Sequence, residues 1–253
     1  MRRFQVALRT ATMALLLAGC ATTPPPPQPL ALAATHYDLG LAYFDAGNYR
    51  RAIPEFAKAV EMSPSDPIYR TALGMAFMFN RNLDDAIKAF GEALAADERF
   101  TEAKNNLATA YMLKGDLEKA RTVLLDVLND PLYPTPHYAY FNLAKIYERQ
   151  GKVDLAIEHY KDALDIQRDY VEARNNLGSL YLQTGKTDLA IAEFIEATRM
   201  APKVPNLHLN LGVAYAQAGK RREARRAFEK VLELEPNGPS AEYARKALQE
   251  LKR

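Results

Sequence analysis

A spacing of 34 residues, repeated six times, limits what this chain can fold into more than any other feature. Counted from Ala33, the eighth position of each copy reads Gly40, Gly74, Ala108, Ala144, Gly178 and Gly212, once two extra residues before the fourth copy are allowed for. Position 11 reads Tyr43, Phe77, Tyr111, Tyr147, Tyr181 and Tyr215, and position 20 is always alanine: Ala52, Ala86, Ala120, Ala156, Ala190, Ala224. A fixed period of this length means stacked two-helix units, an all-α solenoid in which each unit buries its apolar face only against its neighbours.

The fifth copy shows how one unit is encoded. From about Glu172 to Thr184, Leu177, Gly178 and Tyr181 fall on one face at helical spacing. Gly185 supplies the left-handed residue that ends this helix. Thr187 or Asp188 is placed to cap a second helix, which carries Ala190, Phe194 and Ala197 inward and stops at Pro202. Small residues at positions 8 and 20 let the two helices approach, and aromatics at positions 11 and 24 fill the space between units.

These positions resemble the tetratricopeptide family over residues 33–238, as units 33–66, 67–100, 101–134, 137–170, 171–204 and 205–238. Several copies depart from the pattern. Position 4, often a large aromatic in that family, holds His36, Arg70, Lys104, Tyr140, Arg174 and His208. Arg81 stands where the second copy should have a turn glycine, which hands the left-handed conformation to Asn80 or Asn82. Pro54 falls inside a second helix, where it removes a backbone hydrogen bond and should bend the helix. The stretch 239–253, with an amphipathic helix over Ser240–Lys252, reads as a cap on the last apolar face.

Ahead of the repeats lies a targeting segment over residues 1–19. Arg2, Arg3 and Arg9 precede the apolar run Ala11–Ala18, which is too short to span a bilayer. It ends in Leu17-Ala18-Gly19-Cys20, which resembles the lipobox of bacterial lipoproteins. That resemblance implies cleavage before Cys20 and covalent lipid on its sulfur. No other cofactor is expected. One acyl chain holds a protein to a membrane only marginally, at about 0.8 kcal/mol per buried CH₂, so a permanent anchor needs the several chains such a cysteine carries in that family. Ala21 follows the cysteine where an aspartate would favour inner-membrane retention, so the resemblance points to the outer membrane with the repeats in the periplasm. Residues 20–32, with Pro24 to Pro27 and Pro29, are expected to form a stiff extended spacer. Cys20 is the single cysteine, so an internal disulfide is excluded.

Three of the 33 basic residues and none of the 31 acidic ones precede Cys20, leaving 30 against 31 in the remainder. That balance speaks against a nucleic-acid partner. The run Lys220–Arg226 is the one concentration of basic charge and reads as a solvated helix face, with anionic lipid or an acidic partner as the lesser alternative. His36, His137, His159 and His208 share no metal-ligand spacing, and no phosphate loop, nucleophile elbow or dinucleotide fingerprint occurs. The expected protein is not an enzyme and takes no small-molecule substrate.

In such a solenoid, positions 2, 5, 6, 9, 12 and 13 of the first helices line the concave wall. In the first three copies these include Tyr37, Leu41, Phe44, Ile68, Met75, Met78, Phe79, Met112 and Leu113, an apolar groove with three methionines suited to an amphipathic helix or apolar segment of another protein. Position 6 holds Asn106, Asn142, Asn176 and Asn210, widened by Asn105 and Asn175 into a ladder of amides able to bond an extended peptide backbone. The ladder equally suits bonding between neighbouring helices, and some groove residues equally suit the core.

The connector Asp130-Pro131-Leu132-Tyr133-Pro134-Thr135-Pro136, leading into Phe141-Asn142-Leu143, carries a further resemblance. With the lipobox, the short spacer and six repeats, it is similar to the tetratricopeptide lipoproteins of type IV pilus biogenesis, the pilotin group. Ala108 and Ala144 depart from the glycine common there. The resemblance implies a non-enzymatic adaptor that binds subunits of the outer-membrane secretin, promotes their outer-membrane localisation and multimer assembly, and so supports pilus formation and twitching or gliding motility. Two alternatives stay open at this point: a scaffold for peptidoglycan enzymes or an exopolysaccharide export machine, and an accessory piece of a periplasmic enzyme.

Overall fold

The computed structural model describes residues 29–251, which form thirteen helices and no strand. The targeting segment, Cys20 and most of the spacer lie outside the described residues, as do the last two residues of the expected cap. Six antiparallel pairs follow one another: α1 (Pro29–Asp45) with α2 (Tyr49–Met62), α3 (Pro67–Phe79) with α4 (Leu83–Ala96), α5 (Thr101–Lys114) with α6 (Leu117–Leu128), α7 (Pro136–Arg149) with α8 (Val153–Ile166), α9 (Val171–Gln183) with α10 (Thr187–Met200), and α11 (Pro205–Gln217) with α12 (Arg221–Leu234). A last helix, α13 (Pro239–Glu250), packs on α12 and covers Phe228 and Val231 through Ala244, Leu248 and Leu251. Contacts run from each helix to the next, with further contacts among first helices, α3 to α5, α5 to α7, α9 to α11 and α11 to α13, as a stacked array requires.

Residues 29–32 were expected to end the spacer and instead form the first turn of α1. Pro29 sits at the first helical position, where its missing N–H is harmless and its fixed φ is already helical. The Leu-Ala-Leu-Ala-Ala that follows is made of the strongest helix formers, so the helix begins earlier than the repeat itself.

Within each pair, position 8 meets position 24. A Cβ added at Gly40, Gly74, Gly178 or Gly212 would stand 2.6–2.8 Å from the ring of Phe56, Phe90, Phe194 or Phe228 respectively, closer than carbon atoms can sit. Where position 8 is alanine the partner is not phenylalanine: Ala108 faces a repeat whose position 24 is Leu124, and Ala144 one with Tyr160. In the third repeat the larger floor is matched by a smaller partner, as a shared volume requires, while the fourth holds both Ala144 and the Tyr160 ring fully buried. The position-11 tyrosines lie further out, and four carry a basic side chain over the ring: Arg51 on Tyr43, Lys119 on Tyr111, Lys152 on Tyr147 and Lys186 on Tyr181, at 5.5–6.0 Å.

Position 4 explains itself in the fold. Its side chains tie the first helix of a pair to the second: His36 to Glu55, Arg70 to Glu92, Lys104 to Asp126, and Arg174 to Glu193. Tyr140 stacks on His159, and His208 bonds the Pro202 carbonyl. The family's aromatic is replaced by ion pairs in the same place.

Three local expectations are corrected. The turn in the second copy is carried by Arg81 itself, at φ 68°, while Asn80 and Asn82 keep φ of −79° and −87°. The backbone bond Asn82 N–H to Phe77 carbonyl fixes the turn whatever residue stands at 81, as Lys186 N–H to Tyr181 carbonyl does around Gly185. Replacing Arg81 by glycine removes the crowding of Cβ against the carbonyl. We expect Arg81→Gly to raise stability by about 1 kcal/mol, read as a higher urea midpoint at unchanged slope. Second, α10 starts at Thr187 with Lys186 as its cap residue, so neither Thr187 nor Asp188 caps it through a side chain. The tight turn places Lys186 at the helix entrance in every copy's register, and its carbonyl accepts the first helical bond from Ala190 N–H. Third, α2 continues through Pro54, which faces solvent within an otherwise regular helix.

Candidate protein-docking groove

The first-helix residues of the first three repeats build two adjoining hollows. One, of about 130 Å³, is lined by Tyr37, Leu41 and Phe44 of α1, Phe56 of α2, Ile68, Ala72 and Met75 of α3, and Glu102 of α5. Met75 and Glu102 also belong to the second, shallower hollow of about 450 Å³, which runs over Phe100, Asn105 and Asn106 to Pro134 and Tyr138. Aromatic rings stiffen the first: Tyr37 lies 5.0 Å from Tyr69 and 5.8 Å from Phe56. A second aromatic knot joins Phe44, Tyr49 and Phe79 at 5.1–5.2 Å between centroids. Beyond it Phe79 and Leu113, each about half exposed, flank Arg81. Ile68 is 46% exposed, a β-branched apolar side chain presented to water at the mouth of the first hollow.

Met112 does not line this surface, and Met78 reaches it only at the floor of the hollow beside Phe79, Arg81 and Leu113. Met78 is 7% exposed and packs between Ala86 and Phe90 of its own second helix and Leu107 and Ala110 of the next repeat. Met112, at 5%, lies in the central core. Each stands one helical turn after the small residue at position 8 and is mostly turned toward the second helix, while Phe44, at the same position of the first repeat, lines the first hollow. Met75 lines the two larger hollows and Met78 the one beside Phe79 and Leu113.

The amides divide between two uses. In the fifth and sixth repeats they are spent on the protein itself. Asn210 donates to Asn175 at 2.8 Å, and Asn176 donates to the Tyr160 hydroxyl at 3.2 Å. Tyr160 in turn donates to Glu148 at 2.9 Å. Burial, reinforced by the Glu148 carboxylate, pushes the Tyr160 phenol far above its ordinary pKa, so it remains a donor at any working pH. At the other end, Asn105 accepts from Tyr133 at 2.7 Å and, with Asn106, lines the second hollow. Asn106 and Asn142 make no side-chain hydrogen bond among the described residues.

The 130–136 connector is a folded element. Asp130 accepts from Leu132 N–H through its side chain and from Tyr133 N–H through its carbonyl. Tyr133 is buried in the central core, and Leu132 is 86% exposed at the tip. Four groove residues were missed: Tyr49, Tyr69, Glu102 and Tyr138. The signal for two of them was available, since Glu102 and Tyr138 occupy position 2 of their copies, the same position as Ile68. Among the described residues no group of three or more His, Cys, Asp or Glu could hold a metal, and no helix is long and apolar enough to cross a membrane.

Comparison with known proteins places this geometry. The tetratricopeptide repeat signature matches residues 37–78, 71–135, 137–203 and 205–237. Type IV pilus assembly protein PilF of Pseudomonas aeruginosa is 29% identical over 133 residues, 53% of each chain. Anaphase-promoting complex subunit 3 of Schizosaccharomyces pombe is 28% identical over 130 residues, 51% of this chain and 19% of that one. The chain thus spans about half the length of PilF in sequence, and much less of the other. Among solved structures, PilW, a type IV pilus biogenesis factor, superimposes with a TM-score of 0.74 at 19% identity over 87% of this chain and 98% of that one. Pseudomonas aeruginosa PilF gives 0.72 at 21% identity over 87% and 96%. YrrB, a repeat protein with a peptide-binding site, gives 0.56 at 22% identity over 76% and 97%. With its family's signature running through all six helix pairs, the chain belongs to the tetratricopeptide repeat family.

Proposed function

We propose that the chain is a lipid-anchored adaptor of type IV pilus biogenesis. In this reading its N-terminal groove holds a segment of the outer-membrane secretin and promotes that protein's localisation and assembly into multimers. One observation carries the reading. The apolar hollow between α1 and α3, with Ile68 and Phe79 about half exposed beside it, leaves the first-helix wall open, whereas in the fifth and sixth repeats side-chain hydrogen bonds cross that wall. A solenoid gains nothing in stability from leaving such side chains in water, and exposed apolar patches of this kind mark docking sites. The similarity to PilF supports the pilus assignment, and the superpositions on PilW and PilF span almost the whole of those chains.

Acylation of Cys20 would keep the adaptor and its cargo at the inner face of the outer membrane. The test is made in the native cell. A strain carrying Ile68→Ser with Phe79→Ser should lose most heat-resistant secretin multimers on gels, with the adaptor present at normal level. Cys20→Ser should leave soluble adaptor in the periplasm and fewer multimers in the outer membrane. Unchanged multimers in the groove variant remove the proposed function.

A further inference from the structure

Negative charge fringes the two hollows, and Arg81 stands beyond them between Phe79 and Leu113. Glu102 lines both hollows, and Asp38 and Asp66 stand near the Tyr37 and Tyr69 hydroxyls at the mouth of the first. None of the three takes part in an ion pair among the described residues. Asp66 also caps α3 by accepting from Ile68 N–H, but Asp38 has no such structural employment. The nearby basic side chains are held elsewhere: Arg70 and Lys104 are drawn by Glu92 and Asp126 toward the second helices, and His36 by Glu55. No lysine or arginine lines either hollow. The carboxylates act together on one spot. After burial, Glu102 raises the Tyr37 phenol most, and Asp38 and Asp66 raise it further, while Tyr69 feels the same two aspartates.

An apolar floor, aromatic walls and a carboxylate rim define one ligand chemistry. We infer that the groove takes a cationic amphipathic segment of its protein partner, with apolar side chains on Ile68 and Met75 and lysine or arginine against Glu102 and Asp38. The inference rests on the proposed function for the existence of a protein ligand and adds what that ligand must carry. Aromatic faces at Tyr37 and Phe44 suit a cation as well as a methyl group. The sign of the rim excludes anionic lipid and nucleic acid from this surface. Asp38 and Asp66 border the first hollow and Glu102 lines both, so the bound segment carries its cations along its length beside its apolar stripe.

The full-length protein in a non-ionic detergent tests this with three labelled 18-residue peptides. The first is a leucine–lysine helix with one apolar stripe, the second its leucine–glutamate counterpart, and the third a serine–lysine peptide of equal charge. Fluorescence anisotropy should show the leucine–lysine peptide binding at least tenfold more tightly than either other, with an affinity that falls as salt is added. Exposed charge pairs each contribute about 1.5- to 5-fold. Asp38→Asn with Glu102→Gln should therefore weaken it about fivefold to tenfold and flatten the salt dependence. Equal binding of the serine–lysine peptide, or no change in the double variant, overturns the inference. Equal binding of both leucine peptides, each lost in Ile68→Ser with Phe79→Ser, overturns the cation requirement and leaves the apolar groove standing. Binding indifferent to that groove variant removes both.

Discussion

Met78→Glu is expected to unfold the second repeat, while Phe79→Glu, one residue further on, leaves the fold intact and removes docking. The contrast rests on a single step of helical angle. Met78 is 7% exposed, wedged between Phe90 and Leu107. A charge placed there and left uncompensated costs about 3–5 kcal/mol. Phe79 is 48% exposed at the end of α3, so a polar group there keeps its water. Its replacement loses the ring contacts to Phe44 and Tyr49 and should cost about 1–2 kcal/mol. Circular dichroism during urea denaturation separates the two: a large fall in midpoint for Met78→Glu and a distinctly smaller one for Phe79→Glu. Comparable falls in both would mean that Phe79 belongs to the core.

Tyr160→Ala should be the most damaging single change in the second half of the molecule. Tyr160 is fully buried, packs against Phe141 at 5.7 Å, and its hydroxyl joins Glu148 of α7 to Asn176 of α9. Removing a large aromatic from such a site costs about 3–5 kcal/mol. For a chain of this size that lowers the melting temperature by roughly 10 °C. In a solenoid the damage has a second consequence. Stability is a sum of repeats and interfaces, so a weak unit in the middle uncouples the ends. Calorimetry of Tyr160→Ala should resolve two transitions where the parent shows one. Tyr160→Phe, which keeps the packing and loses only the hydroxyl, should retain one transition at slightly lower temperature. A single undiminished transition in the alanine variant would show that α8 does not bridge its neighbours.

The architecture was legible because 34 residues is a physical unit. One helix pair cannot bury its face alone, so small residues at 8 and 20 and aromatics at 11 recur in every copy, while position 24, expected between units, packs on position 8 of its own pair. The groove was only partly legible. Position 12 of the concave wall holds for Phe44, holds only at the floor of a hollow for Met78, and fails for Met112, which is buried in the central core. Position 2 was assigned correctly but read for apolar residues alone, and Glu102 and Tyr138 passed unnoticed. Tyr133 could not be placed from sequence, because only the folded connector shows that its ring enters the core and its hydroxyl reaches Asn105. The Arg81 turn was assigned to asparagines on intrinsic preference, yet the bond from Asn82 N–H to the Phe77 carbonyl dictates which residue turns left-handed.

The matched floors and rings at positions 8 and 24 bear on how such an array can be rebuilt. Gly212 and Phe228, or Ala108 and Leu124, are inherited as couples within one helix pair, not between pairs. A whole pair can therefore be duplicated, deleted or transplanted along the stack and arrive with its own lock complete. A recombination point between the two helices of a pair would bring a methyl group under a phenyl ring. Crossovers that exchange intact hairpins should yield folded chimeras far more often than crossovers cut through the turns.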